Sequence, residues 1–211
     1  MKFYRKDMNE LLDREKEFIF DIYHSVVLNN YIKYWGMPEY RVISTREKVN
    51  EKIYVYYFPC NKKNKICRVA TVGLSLQSGL SGKVRCEYIF TLPCDLGNTT
   101  LDSVFNYMLD IAAHTVFNIS NVLNIPRVMS SRLAPNEWKT KAILFDELRG
   151  EDENFSEIIC KEAFNTEFIW VVPIYDSEYL SILNNGIDEF DQCEQESEIS
   201  IVDVNRDPFI L

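Results

Sequence analysis

Hydrophobic positions near the start of the chain recur every three or four residues. They are Leu11, Leu12, Phe18, Ile19, Ile22 and Val26. This spacing places them on one stripe of an α-helix, the stripe that packs against a core. Gly36 and Pro38 interrupt the pattern, so we predict a helix that ends at Tyr34 or Trp35. The same spacing returns between Leu101 and Thr115 and predicts a second long helix.

Several segments between and after these helices have the composition of β-strands. They are 53–58, 66–75, 85–92 and 168–172, with shorter candidates at 42–45 and 141–146. The segment 168–172 is apolar on both faces, which predicts a central strand. We expect it to end at Pro173, because proline cannot donate to a central ladder.

Two short helices are predicted to follow the last strand. Asp176 or Ser177 can cap the first helix, and Gly186 ends it. The second runs from Ile187 to Gln195. The short hairpin connections earlier in the chain favour antiparallel pairing. The order of elements therefore predicts an α+β fold, a mainly antiparallel central sheet with helices packed on it.

Composition supports one main domain. The chain has 211 residues, of which 46% are hydrophobic, enough for a sizeable core. No apolar run approaches the roughly 20 residues that a membrane span needs. We predict an N-terminal helical segment over 1–38, an α+β domain over 39–195 and an acidic C-terminal tail over 196–211.

The charge is distributed unevenly along the chain. Residues 1–150 contain 21 basic and 16 acidic side chains, a net charge of +5, whereas residues 151–211 contain 2 basic and 16 acidic ones, a net charge of −14. A surface built from the acidic part repels nucleic acid and attracts basic proteins. We therefore expect a protein partner rather than nucleic acid or a membrane.

The cysteines are expected to be reduced, small hydrophobic residues. They are Cys60, Cys67, Cys86, Cys94, Cys160 and Cys193, and none forms a Cys-x-x-Cys pair. The first 18 residues lack the apolar stretch of a secretory signal, which predicts a cytoplasmic location and reduced thiols. Cys60 and Cys67 flank one predicted hairpin and could pair only if oxidised.

The densest group of candidate functional residues is acidic. Asp188, Glu189, Asp191, Glu194, Glu196 and Glu198 fall within eleven residues that contain no basic side chain. One interpretation is a docking surface for a basic partner, and the other is a solvent-facing helix followed by a tail. The segment lacks a D-x-D-x-D-G loop, so we predict no metal site.

No residue pattern predicts catalysis or a cofactor. His24 and His114 lie inside predicted helices without a neighbouring nucleophile motif. Arg85 and Glu87 share one strand face, where we expect a cross-strand ion pair and, as the alternative, a surface that orients a partner. Thr71 can share that face if its strand is adjacent. Glu87 and Asp110 are the best candidates for an enzyme, but neither has a partner base.

An ordered set of short motifs resembles the suppressor-of-fused-like domain family. The set is Thr71-Val72-Gly73-Leu74-Ser75, Arg85-Cys86-Glu87-Tyr88-Ile89-Phe90, Trp170-Val171-Val172-Pro173-Ile174-Tyr175-Asp176-Ser177-Glu178 and Asn184-Asn185-Gly186-Ile187-Asp188. The similarity covers roughly residues 40–190. Tyr88 stands where the family more often has leucine.

The resemblance implies a non-enzymatic binding domain. Animal members of the family sequester a transcription factor by gripping an extended peptide, and bacterial members are commonly predicted to be immunity proteins encoded beside toxins. We predict a bacterial immunity protein that covers a basic toxin. The predicted contacts are Asp188, Glu189, Asp191, Glu194 and Glu196, with Tyr175, Asp176 and Glu178 as a neighbouring edge.

The alternative is a regulatory scaffold that sequesters an extended peptide or a transcription factor. In that case the aromatic side chains Tyr54, Tyr56, Phe58 and Trp170 line a groove on an open face of the sheet. The competing interpretation places these rings in the core.

Overall fold

A computed structural model describes residues 2–46, 49–60, 65–77, 84–118, 128–130, 133–156 and 166–210. The helices are α1 Lys2–Trp35, α2 Leu101–Asn118, α3 Asp176–Asn185 and α4 Asp188–Glu196. The strands are β1 Tyr40–Arg46, β2 Val49–Phe58, β3 Ile66–Val72, β4 Cys86–Pro93, β5 Val128–Ser130, β6 Ala142–Glu147 and β7 Glu167–Ile174. No helix of these segments is both long and apolar enough to cross a membrane.

The strands form one seven-stranded sheet in the order β1-β2-β3-β4-β7-β6-β5. Neighbouring strands are antiparallel except β4 and β7, which run parallel. A parallel pair requires a long crossover, and here α2, β5 and β6 lie between the two strands in the chain. The predicted α+β fold with a mainly antiparallel sheet is confirmed.

Successive side chains of β3 pack into different cores, one on each face of the sheet. Val69 packs into a core with α2, whereas Ala70 and Val72 pack into a core with α1. All three side chains are fully buried. Successive side chains of a strand point to opposite faces, so an all-apolar strand needs cover on both sides.

Helix α1 contacts the sheet through a different stripe from the predicted one. Its contact residues are Tyr23, Val27, Tyr31 and Trp35, spaced by four residues and buried against β2 and β3. Phe18, in contrast, is 67% exposed, and Ile19 and Ile22 are exposed as well. The expectation that these three face the core is wrong, because the aromatic stripe over 23–35 offers more buried area to the sheet.

Strand β7 is central, as predicted, but Pro173 does not end it. The strand continues to Ile174 and pairs with β6 along this whole stretch. Its pairing with β4 stops at Trp170, so at Pro173 the one described strand beside β7 is β6. A missing amide donor is tolerated there for the same reason that proline is tolerated on edge strands.

Cys60 and Cys94 form a disulfide, with Cα atoms 5.5 Å apart. This corrects the prediction that these thiols are free and that Cys67 is the possible partner of Cys60. The bond joins the ends of β2 and β4 on either side of the start of β3, and a pattern of spacings along the chain does not reveal that proximity. Cys67 and Cys86 are buried thiols, and Cys193 is a half-buried one. Cys160 lies outside the described residues.

The Cys60–Cys94 bond closes a loop between cysteines that are 34 positions apart in the sequence. Replacing both cysteines with serine is expected to lower the free energy of unfolding under oxidising conditions by about 4 kcal/mol, the chain-entropy value for a loop of this length. Urea denaturation with and without dithiothreitol measures the difference, and Cys193→Ser is the control. A double variant as stable as the wild type in both conditions would contradict a formed bridge.

Candidate protein-binding surface

The acidic residues lie on two short helices, α3 and α4, which follow β7 in the chain. Tyr175 leads from β7 into α3, and the amide of Tyr175 donates to the Glu178 carboxylate at 2.8 Å. The predicted caps Asp176 and Ser177 are instead the first residues inside the helix. Gly186 ends α3 as predicted, with φ +89° and its amide bonded to the Ile182 carbonyl. Glycine adopts this positive φ without strain, and α4 begins two residues later, beside α3.

Most of the predicted contact residues face solvent. Asp176, Asp188, Glu189 and Glu196 are exposed, whereas Asp191 and Glu194 are half-buried. Between residues 176 and 198 the chain has eight acidic side chains and no basic one. We call the exposed surface of these residues the α3–α4 surface. Its net charge is negative, so it attracts cations over a distance.

Side-chain bonds fix part of this surface. Glu189 accepts from the Ser181 hydroxyl at 3.1 Å and the Asn185 amide at 3.3 Å, which ties α4 to α3. Glu194 pairs with Arg149 at 3.0 Å. The carboxylates of Glu189 and Glu194 are therefore held in place before any partner binds.

Glu178 differs from the other predicted contact residues because it is 0% exposed. Its carboxylate accepts from both terminal nitrogens of Arg206 at 2.7 Å and from the Phe209 amide at 2.8 Å. Tyr175 is half-buried, and its hydroxyl donates to the Arg206 carbonyl. Glu178 thus holds the C-terminal segment against α3 and presents no atom to solvent.

The C-terminal residues pack against the sheet. Ile201 and Val204 are buried, and the Phe209 ring lies against Phe190 of α4 with centroids 5.7 Å apart. The segment after α4 therefore supports the α3–α4 surface from beneath. The division of the chain at residues 38 and 195 stays a prediction.

Two exposed leucines on α3 were not among the predicted contact residues. Leu180 is 53% exposed and Leu183 is 61% exposed. Leucines three residues apart in an amphipathic helix are usually core residues, so spacing alone does not mark them. In this helix Glu178 and Ile182 occupy the buried face instead.

Glu87 is fully buried and does not form the cross-strand ion pair that was expected on the face it shares with Arg85. Its carboxylate accepts from the hydroxyls of Thr71 at 2.6 Å and Tyr23 at 2.8 Å. Arg85 is exposed. The ion-pair prediction is wrong, and the expectation that Thr71 shares the face of Glu87 is confirmed.

Backbone amides complete the surroundings of the Glu87 carboxylate. Those of Gly73, Leu74 and Ser75 donate to it at 2.9, 3.3 and 3.1 Å. Burial raises the pKa of Glu87, and these donors together with Thr71 and Tyr23 oppose the shift. Gly73 has φ +100°, and a Cβ there would lie 2.6 Å from the Lys52 carbonyl oxygen. The first two motifs of the sequence therefore maintain the fold.

The aromatic residues of β2 do not line an open groove. Tyr56 and Phe58 are buried under α1. The Tyr56 hydroxyl lies 2.6 Å from His24 Nε2. Burial and the nearby Arg41 guanidinium lower the pKa of His24. Trp170 is also buried, on the other side of the sheet from the α2 core. Helix α1 covers this face at β2, and α3, α4 and the C-terminal segment cover it at Trp170.

Within the described segments, no group of three or more histidine, cysteine or acidic side chains has a geometry suited to a metal ion. Asp110 is half-buried on α2, where burial raises the pKa of its carboxyl. The Glu87 carboxylate is occupied by the five donors described above.

Comparison with known proteins agrees with this architecture, a single mixed sheet in which the motif residues around Glu87 are buried. The chain belongs to the suppressor of fused (SUFU) family, whose model matches residues 50–207. No curated protein sequence matches the chain.

Two solved structures share the fold. A SUFU homologue from Neisseria gonorrhoeae FA 1090 superposes with a TM-score of 0.65 at 14% identity, over 90% of this chain and 97% of that chain. A chain of the Sufu–Fu complex superposes with a TM-score of 0.57 at 12% identity, over 92% of this chain and 91% of that chain. The resemblance seen in the sequence motifs is confirmed at the level of family and fold.

Proposed function

We propose that this chain is a non-enzymatic protein-binding domain, an immunity protein that neutralises a cognate bacterial toxin by covering its basic active site. The α3–α4 surface carries the proposal, because seven of the eight acidic residues between 176 and 198 reach solvent and the segment contains no basic residue. The Sufu–Fu complex supports a protein partner, since a protein of the same fold occurs there with a second protein. Occlusion needs no covalent step and no cofactor.

The contacts that we assign to the toxin are the exposed carboxylates. Asp176, Asp188, Glu189 and Glu196 can reach a partner directly, and Asp191 and Glu194 lie at the margin. Tyr175 and Glu178 act behind this surface by fixing the start of α3. Complementary charge of this kind mainly raises the association rate and the specificity of a complex.

We place the neutralisation in the cytoplasm, where such a toxin would act on its own producer. The Cys60–Cys94 bond is then expected to be reduced in the cell. The proposal therefore requires that the domain still binds its partner in the presence of dithiothreitol.

Reversing the charge of Asp188 and Glu189 to lysine is expected to weaken partner binding steeply, by about 1 kcal/mol per reversed charge or more. The matched control reverses Glu15 and Glu153, which are exposed on α1 and on the β6–β7 connection. Immobilised wild-type, reversed and control chains are exposed to lysate of the source cells at low and high salt. We expect one basic polypeptide that wild type and control retain and that the reversed chain does not.

A second assay separates immunity from simple binding. The retained polypeptide is expressed alone and together with the wild-type chain. Toxicity that the wild-type chain abolishes is the expected result. A retained polypeptide that is harmless alone would refute the toxin assignment, and retention that is indifferent to charge reversal and to salt would refute the electrostatic mechanism.

The open edge of the sheet favours the alternative of a regulatory scaffold. Strand β1 is the first strand of the sheet, and among the described strands it pairs only with β2; Tyr40 and Ile43 on it are exposed. An extended peptide or a segment of a transcription factor could add there as a further strand. Retention that resists high salt and survives the charge reversal would favour this function.

A further inference from the structure

One face of α3 combines an acidic residue with two exposed leucines. Asp176, Leu180 and Leu183 are spaced by four and three residues, so they lie on a single stripe of the helix. At 1.5 Å per residue the stripe is about 10 Å long. The opposite face of α3 is filled by Glu178 and Ile182, which are buried. Among the residues that the structure describes, the stripe is therefore the face of α3 that no other element covers.

Acidic residues border this stripe at both ends. Asp176 opens it, and Asp188 follows its far end in the chain, just beyond the turn at Gly186. Both carboxylates are exposed, whereas the Glu189 carboxylate is bonded to Ser181 and Asn185 on another face of α3. In the order of the chain, the surface reads acid, leucine, leucine, acid, and no basic residue interrupts it.

The arrangement corresponds to the anatomy of a specific interface. Affinity usually comes from a few apolar anchors at the centre, and a charged rim controls the association rate and the choice of partner. A uniformly acidic rim selects a basic partner. A leucine ridge on a helix packs well into the groove of a second helix, whereas strand addition would need an open sheet edge.

We propose that the α3–α4 surface receives a basic amphipathic helix of its partner, whose apolar side chains pack on Leu180 and Leu183. Lysine or arginine side chains at the two ends of that helix pair with Asp176 and with Asp188. This inference rests on the proposed function and deepens it, since it assigns the anchors of the interface to apolar residues and the steering to acidic ones.

Two synthetic peptides test the proposal on the full-length chain. The first is an amphipathic leucine–lysine helix of about 14 residues, long enough to cover the stripe. The second has the same composition in an order that spreads the leucines around the helix. Binding of each peptide is measured by titration calorimetry at low salt.

The expected result is that the amphipathic peptide binds about tenfold more tightly than the scrambled one, as a buried apolar anchor would require. Leu180→Gln/Leu183→Gln is expected to remove this difference and to leave the scrambled peptide unaffected. Met37→Gln is the control, because Met37 is also exposed but follows α1 at the opposite edge of the sheet. Asp188→Lys/Glu189→Lys is expected to weaken both peptides.

The outcomes separate the two proposals. If both peptides bind equally and Asp188→Lys/Glu189→Lys weakens both, the leucine anchors are overturned and the acidic docking surface is kept. Binding of neither peptide would overturn both. A loss with Met37→Gln as large as that with the leucine variant would show non-specific adsorption and would also overturn the anchors.

Discussion

Replacing Arg206 with methionine is expected to lower the free energy of unfolding by about 3 to 5 kcal/mol, the cost of breaking a buried ion pair. The side chains of Arg206 and Glu178 are both 0% exposed, and two nitrogen–oxygen contacts of 2.7 Å join them. Without the guanidinium, the Glu178 carboxylate stays buried with no cation to compensate its charge. Urea denaturation monitored by tryptophan fluorescence measures the loss.

Two further variants separate the pair from the general effect of a substitution. Glu194→Ala removes a partly exposed partner of Arg149 and is expected to cost less than about 1 kcal/mol. Glu178→Leu/Arg206→Met removes both charges and is expected to recover part of the loss, although the amides of Tyr175 and Phe209 then lose their acceptor. A loss below about 1 kcal/mol for Arg206→Met would contradict a buried pair.

Replacing Glu87 with alanine is expected to have the second large effect, about 3 to 5 kcal/mol, because several buried donors lose one shared acceptor. These donors are the hydroxyls of Tyr23 and Thr71 and three consecutive backbone amides that begin at Gly73. The carboxylate joins α1, β3 and β4, so its loss weakens the docking of α1 as well. Denaturant titration and amide hydrogen exchange of α1 are the measurements.

Arg85 provides the discriminating control for Glu87. Arg85→Ala is expected to change the free energy of unfolding by less than about 0.5 kcal/mol, as for other exposed positions. Tyr23→Phe removes the hydroxyl that contacts Glu87 and Thr166 and is expected to cost about 1 kcal/mol. If Arg85→Ala instead cost as much as Glu87→Ala, the two residues would act as an ion pair and the buried network would be refuted.

The buried networks of Glu178 and Glu87 also explain how the proposed surface is positioned. Glu178 fixes the first turn of α3 through the Tyr175 amide and holds the C-terminal segment through Arg206. That segment brings Phe209 against Phe190 on the buried face of α4. The acidic side chains are thus displayed by helices whose inner faces are anchored to the domain.

Local patterns in the sequence were sufficient for much of the fold. The strand at 53–58, the long helix that begins at Leu101 and the stop at Gly186 were all predicted correctly. In each case the signal is local, such as a β-branched run, a helical repeat or a glycine in a left-handed turn. The central place of β7 followed from its apolar character on both faces.

The errors concern contacts between residues that lie far apart in the chain. Phe18 looked like a core residue because periodicity shows a stripe but does not show which stripe meets the sheet. Cys60 and Cys94 meet because β2 and β4 flank β3, which is a property of the topology. Glu87 and Glu178 looked like surface charges because their donors come from distant elements.

The location of the α3–α4 surface could be predicted from the sequence, but its composition could not. Counting charges identifies an acidic segment, yet it does not separate Glu178, which is buried, from Glu189, which is exposed. It also gives no indication that Leu180 and Leu183 face solvent. That separation depends on which side of α3 meets the sheet and the C-terminal segment.

The central claim is that the α3–α4 surface binds a basic protein. Its most direct test is the affinity of the retained partner for the wild type, for Asp188→Lys/Glu189→Lys and for the control Glu15→Lys/Glu153→Lys, measured over a range of salt. We predict that the α3–α4 variant alone loses affinity, at least about tenfold at low salt, and that its affinity depends less on salt than that of the wild type. Equal affinities and equal salt dependence for all three chains would contradict the claim.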